Sequence, residues 1–270
     1  MSSLELLYEV DGLPAFDLPE ELATLYGGRF GLAPPLVYAN FVETLDGVVA
    51  IRSEPRTNRI VSGNSETDRF VMGLLRACAD VVLLGSGTLR GSPASVWTAE
   101  RAYPAAADAF AELRSRLGLP PEPALAVLTA SGSLDPAHPA LERGAVVLTT
   151  EQGAERCRGR LASAVEVVPL PGETAVDPGA AVAFLRERGH RTILSEAGPH
   201  VFGSLLAAGL VDELFLTVSP LLAGRSEPGG RLGLVEGEEL LPGRAAPARL
   251  LGVRRDDAHL FLRYGISSPA

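Results

Sequence analysis

Two short segments of this chain could do chemistry. VVLLGSGT, residues 81–88, and ILSEAGPHVFGSL, residues 193–205, each pass from an apolar strand pattern through glycine into a helix start. A helix begins with N–H groups that lack an intrahelical partner and with the positive end of its dipole. Glycine at that point lets a phosphate approach the backbone. Ligands of open α/β sheets gather at the carboxyl ends of strands, where both junctions fall. One such turn is a weak signal, because glycines also simply make tight turns. Two in one sheet point to a dinucleotide. Beside them, Glu196 at the strand end could orient a ribose or pyrimidine donor or serve only as an N-cap. Arg76, near a helix C-terminus, could offer a bidentate fork to a phosphate or satisfy the last carbonyls.

Several chemistries are absent from the pattern. Neither junction reads G-x-G-x-x-G with an acidic residue about twenty positions on, so a standard Rossmann site is not expected. There is no P-loop, no G-x-S-x-G, and no histidine placed to activate a nucleophile. His138 and His190 sit in loop-like contexts and read as solvated. Cys78 and Cys157 form no C-x-x-C or Cys/His cluster, and with four histidines in all no metal site is expected. Cys78 reads as a buried core thiol.

The elements that must position these residues follow a strand–helix rhythm. Strands are predicted at 36–41, 48–51, 81–84, 124–129, 145–149, 165–168, 192–195 and 212–219, with a C-terminal hairpin at 250–253 and 259–264 around Asp256-Asp257. Helices are predicted from Ser65 as N-cap to about Ala79, and at 105–117, 178–189 and 199–208. Residues 44–47 (Thr-Leu-Asp-Gly) read as a turn, with Asp46 in a turn role. Residues 52–64, 91–104 and 220–247 read as loops. Asp212 reads as a structural residue at the start of its strand. Strands alternating with helices imply an α/β domain: a mostly parallel central sheet flanked by helices, with an antiparallel C-terminal hairpin. Residues 1–30 read as an N-terminal extension and 31–270 as the single domain.

The chain has 270 residues, 46% of them hydrophobic and 6% aromatic, enough for a full core built mainly of Leu, Val and Ala. Its 24 basic and 33 acidic residues give a net charge of −9, a poor basis for wrapping nucleic acid. No apolar segment is long enough to cross a bilayer and the N-terminus lacks a basic leader, so no membrane partner and a cytoplasmic location are expected.

Three blocks carry a resemblance: TLDG at 44–47, LRACADVVLLGSGT at 75–88, and EAGPHVFGSLLAAGLVDELFLTVSPLLAG at 196–224. From about residue 36 to 264 the chain resembles the reductase domain of the bifunctional riboflavin-biosynthesis deaminase/reductase, a family with the dihydrofolate reductase-like fold. The resemblance implies NADPH-dependent reduction of 5-amino-6-(5-phosphoribosylamino)uracil to its ribitylamino product, hydride going to the sugar C1 of an open-chain imine, by a homodimer. Carried over, Val42 and Thr44 line the nicotinamide end. Gly85, Ser86, Gly87, Thr88, Thr129, Gly198, Pro199, His200, Val201 and Phe202 hold the cofactor. Asn58, Arg76 and Glu196 meet the substrate. Separately from the resemblance, a 2′-phosphate needs a basic or hydroxyl-rich pocket, which Arg90 and the Arg56/Arg59 loop could supply, and the sequence alone does not choose between NADPH and NADH. No catalytic proton donor is identified, and bound water could serve. The chain departs from the family in lacking the H-x-E and P-C-x-x-C of the deaminase, in carrying Thr44 where serine is usual, and at 90–93 (Arg-Gly-Ser-Pro). There an acidic contact and a phosphate-binding arginine are missing, and Arg101 is the available replacement. Two other readings stay open. One is a dihydrofolate or pterin reductase using Glu66 or Asp68, both placed at an exposed helix start. The other is a non-catalytic NADPH-binding sensor.

Overall fold

Apolar runs too short for helices and bounded by glycine or proline become the buried strands of one sheet, and the amphipathic segments between them cover its faces. The computed structural model describes residues 3–226 and 230–267. In chain order the elements are β1 (Glu5–Glu9), α1 (Glu20–Tyr26), β2 (Leu36–Thr44), β3 (Ala50–Ile51), α2 (Thr57–Val61), α3 (Glu66–Ala77), β4 (Val81–Gly85), α4 (Ser86–Gly91), α5 (Ala99–Ala102), α6 (Ala107–Arg116), β5 (Ala124–Thr129) and α7 (Pro139–Glu142). There follow β6 (Ala145–Thr149), α8 (Glu151–Cys157), β7 (Val165–Pro169), α9 (Pro178–Glu187), β8 (Thr192–Ser195), α10 (Pro199–Ala207), β9 (Glu213–Ser219), β10 (Arg231–Leu232), β11 (Ala248–Asp256) and β12 (His259–Ile266).

The main sheet runs β1-β11-β12-β9-β2-β8-β4-β5-β6-β7. From β9 to β7 neighbouring strands are parallel; β9, β12, β11 and β1 pair antiparallel. The expected α/β class with a C-terminal hairpin is the one observed. One face packs against α1, α3, α5 and α6 through Phe70, Leu74, Phe110 and Leu113. The other packs against α9 and α10 through Val182, Leu185, Phe202 and Leu205. β8 lies between β2 and β4, although β4 precedes it by more than a hundred residues. That insertion sets the two glycine junctions on adjacent strands.

Some expectations change. The 52–64 loop contains α2, the 91–104 loop contains α5, and the 220–247 loop contains β10, which pairs with β3. These segments are too short or too polar to carry a readable period. His138 is not solvated: it is 4% exposed, accepts from the Ala140 N–H to start α7, and stacks on Trp97. β9 is internal to the sheet, between β2 and β12. Cys78 is buried, and burial pushes its thiol up to about 12, which makes it an inert core group.

Residues 3–30 are packed into the main core. β1 pairs with β11, and Leu4, Leu22, Tyr26 and Phe30 are buried. The Arg254 guanidinium lies 3.9 Å from the Tyr26 ring centroid, donates to the carbonyls of Tyr26 and Arg29, and pairs with Glu9 at 2.8 Å. Removing residues 1–30 deletes those side chains, uncovers the core they pack on and strands the buried Arg254, a loss on the order of 10 kcal/mol, comparable with the whole stability of a domain. A chain beginning at residue 31 should therefore show no cooperative thermal transition. A truncated chain melting within a few degrees of the full one would contradict this packing.

Candidate active site

A cleft of about 1220 Å³ opens over the carboxyl ends of the parallel strands. Single-ligand pockets occupy roughly 300–1,000 Å³, so this one has room for a cofactor and a substrate together. Its floor is made by the two glycine corners. A Cβ on Gly85 would lie 3.2 Å from Val201 Cγ2 and 4.0 Å from the Gly198 nitrogen, and a Cβ on Gly198 would lie 3.8 Å from Thr88 Oγ1. The Glu196 N–H donates to the Leu83 carbonyl at 3.1 Å, joining the corners by backbone. Helices α3, α8 and α9 are capped by the side chains of Ser65, Thr150 and Asp177. The two helices that open on the cleft, α4 and α10, begin at Gly85 and Gly198 with no side-chain cap. Their first N–H groups are left for a ligand.

The cleft has two chemically distinct ends. Toward α9 it is lined by Leu128, Thr129, Thr174, Val176 and Arg244. The Thr129 hydroxyl is buried there with no hydrogen-bond partner among the described residues. Toward α3 the lining is Asn40, Val42, Asp68, Met72 and Glu196. The β3–β10 ribbon closes one side, and Arg52 Nη2 reaches His200 Nε2 at 3.3 Å across it.

At the α3 end two acids are treated oppositely. Glu196 receives a bidentate fork from Arg76, Nε to Oε1 at 2.9 Å and Nη2 to Oε2 at 2.6 Å. Both side chains are 8% exposed, and Arg76 Nη1 also donates to the Thr98 carbonyl. Asp68, one turn into α3, is 4% exposed and has no ion-pair partner among the described residues. Burial pushes its carboxyl up to about 6, against the lowering effect of the Thr217 hydroxyl that donates to it and of nearby His259.

Most of the residues expected at a site are brought together here. Val42, Gly85, Ser86, Gly87, Thr88, Arg90, Thr129, Gly198, Pro199, His200, Val201, Asn58 and Glu196 all line the cleft. Other expected residues are placed differently. Thr44 is a turn residue: its hydroxyl donates to Asp46 at 2.6 Å and accepts from the Val48 N–H. Phe202 faces the sheet, 1% exposed, its ring 4.9 Å from that of Phe41. Arg76 does not line the cleft, because Glu196 occupies its fork. Arg56, Arg59 and Arg101 lie outside the lining, whereas Arg52 and Arg244 were not anticipated. Asp68 was placed at an exposed helix start, yet it shares the buried face of Val71 and Leu75, at i, i+3 and i+7. That spacing is the signal that could have found it. Asp46 keeps its turn role: the Thr44 hydroxyl, with the N–H groups of Ala223 and Gly224, holds its carboxyl at about 2. The Asp212 carboxylate likewise accepts from the Val37 N–H at 2.6 Å.

Two outcomes follow from these acids. Arg76→Ala leaves a buried carboxylate unpaired and should cost about 3–5 kcal/mol of stability in denaturant melts, much of it restored in an Arg76→Met, Glu196→Leu double variant. Unchanged stability in Arg76→Ala would show that the pair does not hold α3 to β8. Asp68 has a folded pKa above its unfolded one, so protonation stabilises the fold and that contribution is lost as pH rises through about 6. Asp68→Asn cannot ionise. It should be more stable than the parent by about 2–3 kcal/mol at pH 8, with the gap closing toward pH 5. An equal gap at both pH values would place the titration elsewhere.

Comparison with known proteins bears on this cleft. The family model described as the RibD C-terminal domain matches residues 35–252, most of the chain. A 2,5-diamino-6-ribosylamino-4(3H)-pyrimidinone 5′-phosphate reductase from Archaeoglobus fulgidus is 28% identical over 199 residues, covering 72% of this chain and 84% of that protein. Among solved structures, a pyrimidine reductase-like protein from Corynebacterium diphtheriae superposes with a TM-score of 0.64 at 21% identity, over 93% of this chain and 95% of that one. RibD from Acinetobacter baumannii superposes with a TM-score of 0.63 at 18% identity, over 91% of this chain but only 60% of the longer protein. The extent of the family match makes this chain a member of the RibD C-terminal domain family.

Proposed function

We propose that this protein is a riboflavin-pathway oxidoreductase that uses NADPH to reduce a phosphoribosylamino-pyrimidine. The observation that carries the reading is the meeting of Gly85 and Gly198 on adjacent strands, each opening an uncapped helix into one cleft. A pyrophosphate fits this floor: it needs backbone N–H donors, close approach and no intervening Cβ. The unpartnered Thr129 hydroxyl at the α9 end suits the ribose or adenine half. When bound, the reduced nicotinamide supplies a hydride.

The residues of the chain supply binding and orientation. The N–H groups of His200 and Val201, and those at the start of α4, hold the phosphates. Arg90, which lines the cleft beside Gly87, offers the 2′-phosphate a guanidinium. Val42 and Met72 give the α3 end apolar walls. Glu196, its oxygens fixed by Arg76, accepts a hydrogen bond from the sugar or ring and keeps the acceptor carbon in register, so that proximity accounts for much of the rate. A phosphorylated metabolite and a nicotinamide cofactor accord with a cytoplasmic enzyme. Among the described residues no helix is long and apolar enough to cross a membrane. For a homodimer, the exposed Leu6, Leu7 and Tyr8 on edge strand β1, or Leu45 and Leu222, offer the apolar area.

Gly198→Ala tests the cofactor floor. Gly198 has φ −66° and ψ 170°, which alanine adopts freely, and the new Cβ meets only Thr88 Oγ1 at ordinary contact distance. The variant should melt like the parent and lose NADPH affinity by roughly tenfold or more, about 1.4 kcal/mol. Unchanged affinity would remove the pyrophosphate from this corner. Arg90→Glu should narrow the preference for NADPH over NADH, measured as the ratio of the two Kd values. An unaltered ratio would take the 2′-phosphate away from Arg90.

A further inference from the structure

We propose that Arg114 is a positioning residue of the cleft: by capping the end of α3 it leaves the Arg76 side chain free to hold Glu196 at the cleft wall. The geometric claim stands by itself, and its consequence for turnover rests on the reductase reading.

A helix ends in carbonyls that lack an intrahelical donor. The last turn of α3 carries a cation of its own, Arg76, and a cation in that place ordinarily serves those carbonyls. Here it does not. Its fork goes to Glu196, and its third nitrogen, Nη1, goes to the Thr98 carbonyl. Other groups take the helix end. The Tyr38 hydroxyl donates to the Leu75 carbonyl at 2.7 Å. Arg114, from the last turn of α6, sets Nη1 at 3.1 Å from the Arg76 carbonyl oxygen, 3.2 Å from that of Ala77 and 2.9 Å from that of Ala79. Its Nε donates to the Pro120 carbonyl at 2.6 Å, which fixes the guanidinium.

This is a destabilising way to cap a helix. Arg114 is 2% exposed, its printed partners are all carbonyls, and its Nη2 is buried with no partner among the described residues. A buried cation without a carboxylate lowers stability, and a glycine cap or Arg76 itself would serve the carbonyls without one. The gain is in what Arg76 is released to do. Turned back onto its own carbonyls, it would leave Glu196 a buried carboxylate with no counter-ion.

The path from Arg114 to the cleft is one residue long. Arg114 holds Arg76 by its carbonyl, and the side chain of the same residue holds Glu196. Arg114 does not line the cleft itself, so it acts through Arg76. The end of α3 has little room to shift and compensate. A Cβ on Gly73 would lie 2.8 Å from Phe110 Cζ and 3.2 Å from the Ala99 carbonyl oxygen, so the helix is pressed against α5 and α6 one turn before Arg76. Just beyond the capped carbonyls, the Asp80 carboxylate accepts from the Thr192 N–H at 2.7 Å. The helix end is thus tied to both ends of β8, at Thr192 and at Glu196.

The Nε–H of Arg76 reports on the pair directly. Bonded to a buried carboxylate, it should exchange slowly with solvent in heteronuclear NMR spectra of the full chain, and its signal is assigned by its loss in Arg76→Lys. Arg114→Met should speed that exchange by about tenfold or more. It should also lower kcat with NADPH and 5-amino-6-(5-phosphoribosylamino)uracil by about 10–100-fold, as for a misplaced site group, while the Kd for NADPH stays unchanged. Arg114→Lys puts three donors where Nη1 stands and should restore slow exchange and most of kcat. Arg254→Met removes another buried arginine that caps carbonyls, those of Tyr26 and Arg29, away from the cleft. It should lower the melting temperature and leave both readouts as in the parent. Where Arg114→Met does not fold, Arg114→Gln, with an N–H donor but no charge, should exchange at an intermediate rate. Parent-like exchange in the folded Arg114→Met or Arg114→Gln chain, loss of the slow signal in Arg114→Lys, or an equal loss in Arg254→Met would each overturn the assignment. If the parent shows the slow signal but no turnover, the reductase reading falls, and the exchange rates still decide whether Arg114 positions Arg76.

Discussion

The architecture of the site depends on the close approach of two backbones that no side chain separates. β4 and β8 run parallel with Leu83 opposite Ser195; β4 ends at Gly85, β8 is followed three residues on by Gly198, and a helix departs from each glycine. Any side chain at Gly85 would press on Val201, and one at Gly198 would enter the space in front of Thr88. The strand order makes this meeting possible. Only because β8 is inserted beside β4 do two helix N-termini, distant in sequence, aim at the same point. Their dipoles and unpaired N–H groups are then placed where both could act on one anion.

The rest of the cleft is arranged around that floor. The buried Arg76–Glu196 pair crosses from α3 to the end of β8, so the helix that walls one end is tied to the strand that makes the floor. Replacing such a pair by packed apolar residues is often neutral for stability, which argues that its value here is positional: it fixes the Glu196 carboxylate at the cleft wall. Asp68, one helical face away, is left without a cation.

Much of this was legible in the residues. The strand–helix rhythm, the parallel sheet and both glycine junctions follow from short apolar runs and turn chemistry, and the blocks at 44–47, 75–88 and 196–224 led to the correct family. What could not be read depended on tertiary placement. Arg76 offers the same fork to a phosphate or to a carboxylate, and only the fold brings Glu196 within 2.6 Å of it. Thr44 and Phe202 belong to the right segments, but their side chains turn to Asp46 and Phe41. The integration of β1 and α1 rests on pairing with a strand some 250 residues later, for which a local pattern carries no information. Asp68 looked like a solvated first-turn acid until β9 and β12 closed over it.

The claim on which all of this stands is that the Gly85–Thr88 and Gly198–Val201 corners grip one pyrophosphate. A crystal structure of the chain grown with excess NADPH tests it most directly. The account expects diphosphate density between Gly87 and Gly198, with the nicotinamide toward Val42 and the adenosine toward Thr129. Density for the coenzyme elsewhere, or none at that floor under saturating conditions, would contradict it.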